Sequence, residues 1–160
     1  MSVLSQEFIR RDLIVVGLKA RDREAVLRTL GHLLYDQGYV KRGWAKAALA
    51  REKEYPTGLP TAEVRVALPH TDAVHCLKPG IAVATLTQPV QFIEMGSEDT
   101  VLDVEIVFCL SITNPEDQIT WLQKLATVFQ RPGILQRMKA AVDVDALYQV
   151  LRETIVDGKP

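Results

Sequence analysis

The sequence contains few of the residues that mark exported or metal-binding proteins. Only two of its 160 residues are cysteines and only three are histidines. Cys76 and Cys109 have no metal-type spacing, and the first dozen residues contain no apolar core of signal-peptide length. We therefore expect both thiols to be reduced packing residues of a cytoplasmic protein.

Long apolar runs and an excess of one charge are also absent. The longest apolar stretch, residues 101–110, contains Asp103 and Glu105 and is far shorter than the roughly 20 residues that a membrane span needs. With 19 basic and 20 acidic residues, the formal net charge is −1, which gives no indication of nucleic-acid binding. We expect no insertion into a membrane and no nucleic-acid partner.

What remains is the composition of an ordinary globular protein, with 48% apolar and 24% charged residues. The expected strands are 14–17, 64–68, 80–86, 90–92 and 101–111, and the expected helices are 23–37, 43–53, 114–129, 134–140 and a last one ending near 155. Strands and helices interleave, which predicts one α/β domain over residues 1–160 with a mixed sheet covered by helices.

Several boundaries of these elements have specific signals. Asp22, Asn114 and either Asp143 or Asp145 are the predicted helix caps. Pro89 is expected to separate two strands. Residues 55–60 hold two prolines and a glycine and are predicted to form a loop.

The most informative segment is the strand 64–68, which ends at Pro69 and is followed by His70. Pro69 fixes its own φ near −65° and biases the preceding residue towards extended geometry. His70 is therefore predicted to lie at the mouth of a sheet, where open α/β folds place their chemistry. Imidazole near pH 7 is both a neutral nucleophile and an acid–base group.

Arg51, at the predicted end of the second helix, favours one kind of chemistry at His70. An arginine would repel a metal cation, whereas its guanidinium binds phosphate oxygens in a planar two-bond fork. Thr57 and Gly58, in the following loop, offer a hydroxyl and a freely oriented N–H group that could complete an oxyanion cradle. The pattern indicates a phosphorylated histidine.

An ordered set of short motifs carries a family resemblance: Arg51-Glu52, then Pro56-Thr57-Gly58, then Val-Ala-Leu-Pro-His-Thr at 66–71. The chain resembles, over essentially its whole length, the enzyme IIA (EIIA) domains of the bacterial sugar phosphotransferase system, mannitol–fructose-type class. The Pro-Thr-Gly loop and residues 67–75 look most like those of the galactitol-specific members. The resemblance implies a mixed sheet with helices on both faces.

The function that the resemblance implies is a phosphoryl relay without a cofactor or a metal. The residue matching His70 accepts the group from the phosphohistidine of the carrier HPr and passes it to a cysteine of the IIB component. IIB phosphorylates the sugar or polyol, which the membrane permease IIC binds, so galactitol is inferred from similarity alone. The arginine matching Arg51 lies beside the phosphorylated ring.

One position departs from the mannitol- and fructose-type members, which carry a second active-site histidine where this chain has Gln118. Glutamine can hydrogen-bond a phosphate but cannot become positively charged, which favours the galactitol type. His75 is a further candidate for phosphate contact, or a polar residue of a turn. Asp72 is expected to cap the turn after His70, with orientation of the His70 ring as the alternative.

Two other functions stay open. His70, Asp72 and His75 supply three donors that suit a metallohydrolase. The nitrogen-related IIA paralogues have the same fold and bind partner proteins according to their phosphorylation state. The Pro-Thr-Gly loop and Gln118 favour sugar transport over that regulatory role.

Overall fold

A five-stranded mixed sheet in the order β1-β4-β5-β3-β2 is the centre of the computed structural model, which describes residues 8–157. The strands are β1 (Ile14–Leu18), β2 (Gly58–Leu59), β3 (Val66–Ala67), β4 (Gly80–Ile93) and β5 (Val101–Ser111). The helices are α1 (Arg23–Asp36), α2 (Trp44–Glu54), α3 (Pro115–Phe129), α4 (Ile134–Ala140) and α5 (Val144–Leu151). A π-helical segment, Arg152–Val156, follows α5.

Apolar side chains alternate between the two faces of the sheet, as the period of a strand requires. On one face Ala67 and its neighbours pack against α1 and α2, and on the other Val66 and its neighbours pack against α3, α4 and α5. Trp44 and Trp121 are buried on opposite faces, as the core anchors that the sequence predicted. The predicted α/β fold, with a mixed sheet and helices on both faces, is confirmed.

Three helices begin at predicted capping side chains. The carboxylates of Asp22 and Asp143 and the amide oxygen of Asn114 each accept a hydrogen bond from a backbone N–H of the first turn, at 2.8–3.0 Å. These bonds satisfy donors that a helix leaves unpaired at its start. Asp143, rather than Asp145, is therefore the cap of α5.

Pro89 does not interrupt the sheet as predicted. β4 continues through it, and the register between β4 and β5 shifts between Thr85 and Val90. Proline is tolerated in a strand where a bulge removes the need for its missing N–H. The predicted break is therefore wrong, because the irregularity absorbs the proline within one long strand.

The predicted loop at 55–60 contains the short strand β2, which pairs antiparallel with β3. Gly58 also bridges to Glu94, and a Cβ atom at this position would lie 2.8 Å from the carbonyl oxygen of Ile93. Only glycine permits so close an approach of two backbones. The two prolines in this segment predicted a loop, because the short strand depends on a backbone contact between Gly58 and a residue distant in the sequence.

The sheet topology brings three distant segments to the same end of the sheet, where β3 and β5 terminate. β3 and β5 are parallel, so His70, just after β3, and the start of α3, just after β5, lie at the same end of the sheet. β2 is antiparallel to β3, and the backbone N–H of Leu68 donates to the carbonyl of Thr57 at 3.2 Å. The connection from α2 therefore enters the sheet at that end as well.

The two cysteines and the helices have ordinary structural roles. Cys76 and Cys109 are buried and free. In the described part of the chain, no helix combines the length and the apolar composition that crossing a membrane would take.

Candidate functional site

His70 is buried at the edge of the sheet, with 7% of its surface exposed. Its Nδ1 lies 2.8 Å from the carbonyl oxygen of Leu68. A carbonyl only accepts, so Nδ1 of the neutral ring carries the proton and donates it, and Nε2 carries the lone pair. Nε2 makes no hydrogen bond with any residue of 8–157. The site therefore contains an imidazole whose nucleophilic nitrogen is defined.

The surroundings of His70 keep its ring neutral. Burial lowers the pKa of His70 below its ordinary value, because the imidazolium loses hydration. The hydrogen bond to Leu68 and the charge of Asp72 act to raise this pKa, and the charge of Arg51 acts to lower it. At pH 7 the ring is in the unprotonated form that attacks electrophiles.

Arg51 lies in the last turn of α2 with its side chain about one third exposed. Its Nη1 is 3.1 Å from Oδ1 of Asp72, and its guanidinium carbon is 5.2 Å from the centre of the Tyr55 ring. Its Nε is buried and has no hydrogen-bond partner among residues 8–157. The guanidinium therefore retains donors beyond the pair with Asp72, which is what binding an anion requires.

Asp72 has a different role from the one predicted. It occupies the cap position of the 3-10 turn Ala73–His75, yet its side chain makes no capping hydrogen bond. The predicted side-chain cap is wrong, because the carboxylate pairs with Arg51 instead. The alternative was that Asp72 orients the His70 ring. At Nδ1 it is the carbonyl of Leu68 that binds the ring.

Gln118 lies in α3, which follows β5, and His75 lies in the 3-10 turn that follows His70. Nε2 of Gln118, in the first turns of α3, donates to the carbonyl of Thr71 at 2.6 Å. His75 is half-buried in the 3-10 turn, and its carbonyl accepts from the N–H of Lys41 at 2.9 Å. The structure thus places Gln118 beside the residue that follows His70, and the contact of either side chain with a phosphate stays a prediction.

Thr57 lies beneath the site and is 2% exposed. Its hydroxyl donates to Oε1 of Glu52 at 2.8 Å and accepts from the N–H of Leu68 at 3.2 Å. The hydroxyl is therefore committed to these two partners, rather than available for an oxyanion cradle. The carbonyl of Gly58 accepts from the N–H of Met95 at 2.8 Å, so this residue is part of the sheet.

Glu52 is the participant that sequence reasoning missed. It stands in a run of charged residues, Arg-Glu-Lys-Glu at 51–54, that is typical of a solvated helix end, yet it is 4% exposed. The available signal was its position beside Arg51 in the first motif of the family resemblance.

The metallohydrolase alternative requires His70, Asp72 and His75 to converge on one metal ion. In the part of the chain that the structure describes, no three histidine, cysteine or acidic side chains are placed to hold one metal ion. His70, Asp72 and His75 therefore do not converge, because Asp72 turns to Arg51.

A neutral histidine and an arginine, brought together at one end of a mixed sheet covered by helices, are groups that suit phosphoryl transfer. The chain belongs to the family described as phosphoenolpyruvate-dependent sugar phosphotransferase system, EIIA 2, whose model matches residues 7–154. Membership gives it the role of a phosphoryl carrier, and the resemblance drawn from the motifs is confirmed.

Curated relatives include components of transport and of regulation. The galactitol-specific EIIA component of Escherichia coli (strain K12) is 31% identical over 122 residues, which are 76% of this chain and 81% of the relative. A nitrogen regulatory protein of Pseudomonas aeruginosa is 29% identical over 105 residues, 64% of each chain.

Solved structures have the same fold. The crystal structure of IIA mannitol from Escherichia coli superposes with a TM-score of 0.73 at 26% identity, covering 89% of this chain and 97% of that one. The complex of enzyme IIA mannitol and phosphorylated IIB mannitol from the same organism gives 0.72 at 24% identity, with the same coverage.

Proposed function

We propose that His70 is the phosphorylated residue and that its Nε2 accepts the phosphoryl group from the phosphohistidine of HPr. The observation that carries this proposal is the hydrogen bond from Nδ1 to the carbonyl of Leu68. Nε2 attacks phosphorus, a new N–P bond forms, and the N–P bond of the donor breaks with its electrons returning to the donor imidazole. No general base is needed, because Nε2 carries no proton.

Arg51 would stabilise the group in transit. The transferring phosphoryl passes through a loose state with charge on its three equatorial oxygens, so the protein contributes mainly position and charge. The buried Nε and the Nη atoms of Arg51 are donors of the kind this state needs. Asp72 competes for the same guanidinium, which keeps the phosphohistidine from becoming too stable to pass the group on to a cysteine of IIB.

Three exposed apolar side chains belong to the segments that carry the proposed site residues. Val74, Ile119 and Tyr55 are 65%, 63% and 61% exposed, and they stand close in sequence to His70, Gln118 and Arg51 respectively. Apolar residues clustered at the surface around a reacting group suit a transient protein interface. We infer that this apolar rim receives HPr and IIB in turn, and the solved complex of a IIA relative with phosphorylated IIB supports the second partner.

The system served would be that of galactitol. Support comes from the galactitol-specific relative at 31% identity and from Gln118 at the position of the second histidine. Permease IIC, rather than this chain, would bind the polyol, and the cytoplasmic location stays a prediction. The second candidate is phosphorylation-dependent regulation, which the nitrogen regulatory relative favours. Transfer to the IIB component for galactitol would distinguish the two roles, since a regulator does not need it.

Phosphorylation with phosphoenolpyruvate, enzyme I and HPr tests the proposal. The chain should gain one acid-labile phosphate by mass spectrometry, and His70→Ala should gain none. His32→Ala is the matched control, because His32 is exposed on α1 and pairs with Asp36 there. An acid-labile phosphate on His70→Ala would overturn the assignment.

A further inference from the structure

A buried carboxylate lies one residue after Arg51 and has no part in the relay described above. Glu52 accepts two hydrogen bonds from Thr57, from its N–H and from its hydroxyl, both at 2.8 Å. Burial raises the pKa of Glu52, while the hydrogen bonds from Thr57 and the charges of Arg23 and Arg51 oppose the rise. A buried carboxylate is costly unless such bonds satisfy it, so Glu52 is a fixed anchor for Thr57.

The same hydroxyl connects this anchor to the strand that ends at His70. Thr57 Oγ1 accepts the N–H of Leu68 at 3.2 Å, and the Leu68 carbonyl accepts the Nδ1 proton of His70 at 2.8 Å. Four residues therefore form a continuous path from α2 to the ring.

The strand end has few other backbone bonds to hold it. Pro69 lacks an N–H, and its carbonyl accepts from the N–H of Leu110 at 3.0 Å. The N–H of Leu68 is therefore the last donor of this strand before His70, and it is shared between the hydroxyl and the carbonyl of Thr57, each at 3.2 Å. If Leu68 moved, its carbonyl would leave Nδ1 and the ring would lose its fixed tautomer.

We propose that Glu52 and Thr57 are positioning residues, which hold Leu68 so that its carbonyl keeps the proton on Nδ1 and leaves Nε2 as the nucleophile. The catalytic consequence rests on the proposed phosphorylation of Nε2, whereas the effect on the tautomer does not. Reactions that depend on aligned atoms are sensitive to small displacements of this kind.

Two substitutions at Thr57 separate positioning from simple stabilisation. Thr57→Val keeps the shape and removes the hydroxyl, and Thr57→Ser keeps the hydroxyl as the matched control. The first readout is the tautomer of His70 from side-chain ¹⁵N resonances, recorded well below the melting temperature. We expect the Nδ1–H tautomer in the wild type and in Thr57→Ser, and a mixture of tautomers in Thr57→Val.

The second readout is phosphoryl transfer from HPr. Loss of one hydrogen bond predicts that kcat falls about two- to tenfold in Thr57→Val, with KM unchanged, and that Thr57→Ser restores it. If Thr57→Val does not fold, Glu52→Gln decides by the same two readouts, because it keeps an acceptor for the Thr57 N–H and weakens the bond to the hydroxyl.

A folded variant with an unchanged tautomer and an unchanged kcat would overturn the positioning role. A changed tautomer in a chain whose wild type accepts no phosphoryl group would instead overturn the proposed function and leave the positioning of the ring intact.

Discussion

Two neighbouring residues at the end of α2 form pairs of opposite character. Arg51 and Asp72, the outer pair, have side chains that are 31% and 76% exposed and meet at 3.1 Å. Glu52 and Thr57, the inner pair, are 4% and 2% exposed and meet at 2.8 Å. The two pairs therefore have similar distances between their polar atoms, but the outer pair is exposed to solvent and the inner pair is buried.

The difference in burial assigns different work to the two pairs. An exposed ion pair contributes little to stability and exchanges partners easily, so the outer pair suits a guanidinium that must take up and release a phosphoryl group. Buried hydrogen bonds are expensive to break, so the inner pair suits a fixed support. Substitutions in the outer pair should change transfer without changing the fold, and substitutions in the inner pair should change both.

The largest effect is expected at Arg51. Arg51→Met keeps much of the packing of the side chain and removes the charge and the fork. Charge-assisted hydrogen bonds contribute about 1.5–3 kcal/mol, so transfer from HPr should slow about ten- to a hundredfold, and the free energy of unfolding should change by less than about 1 kcal/mol. Arg51→Lys should restore part of the rate. Unchanged transfer rates would remove Arg51 from the site.

The inner pair should show its effect in stability. Thr57→Val leaves Oε1 of Glu52 without its buried donor, while Oε2 keeps the Thr57 N–H and the Leu68 N–H keeps the Thr57 carbonyl. The unsatisfied carboxylate oxygen predicts a loss of about 1–3 kcal/mol in the free energy of unfolding. Urea denaturation beside Arg51→Met and Thr57→Ser measures it. Equal stabilities of Thr57→Val and the wild type would show that the inner pair is not a support.

The apolar rim should affect recognition rather than chemistry. Ile119→Ser removes an exposed contact and should raise KM for phosphorylated HPr about fivefold, from a contribution of about 1 kcal/mol, with kcat unchanged. The control is Val142→Ser, because Val142 is 85% exposed in the connection between α4 and α5. Equal KM values for the two variants would place the docking surface elsewhere.

Asp72→Asn should act in the opposite direction to Arg51→Met. Without the competing carboxylate, Arg51 binds the phosphoryl group more fully, and the equilibrium with HPr should shift towards the phosphorylated form by up to about fivefold, as expected for an exposed pair. Quantitative ³¹P resonances of the two proteins at equilibrium measure the shift. Asp36→Asn on α1 is the control, and a shift towards HPr would contradict the competition.

The smallest effect concerns pH. The lowered pKa of His70 predicts a side-chain titration midpoint below the ordinary value of about 6.5. The folded state disfavours the protonated ring, so this contribution to stability is complete above about pH 6.5 and is lost as pH falls through the folded pKa. A ¹H titration of His70, with His70→Gln to assign the resonance, measures the midpoint. A value above the ordinary one would show that the ring is not desolvated.

Local signals in the sequence were sufficient for most of the fold. The caps at Asp22 and Asn114 and the strand before His70 follow from neighbouring residues. The structure has both caps, and it has the strand, shortened from the predicted 64–68 to Val66–Ala67. The strand β2 and the continuity of β4 through Pro89 could not be predicted, because both depend on partners distant in the chain.

The site divides in the same way. Proximity of Arg51 and Gln118 to His70 could be expected from the motifs, and the structure brings both to that edge. The ion pair between Asp72 and Arg51 and the burial of Glu52 could not be predicted. No local sequence pattern indicates which of two neighbouring charged residues faces solvent.

The central claim is that Nε2 of His70 accepts the phosphoryl group. Identifying the phosphorylated nitrogen tests this claim most directly. Phosphorylated protein, prepared with HPr and labelled with ¹⁵N, should show ³¹P coupling to Nε2 of His70 while Nδ1 retains its proton and its bond to Leu68. Coupling to Nδ1 of His70, or to any other histidine, would contradict the account, because Nδ1 is the atom that the structure commits to the backbone.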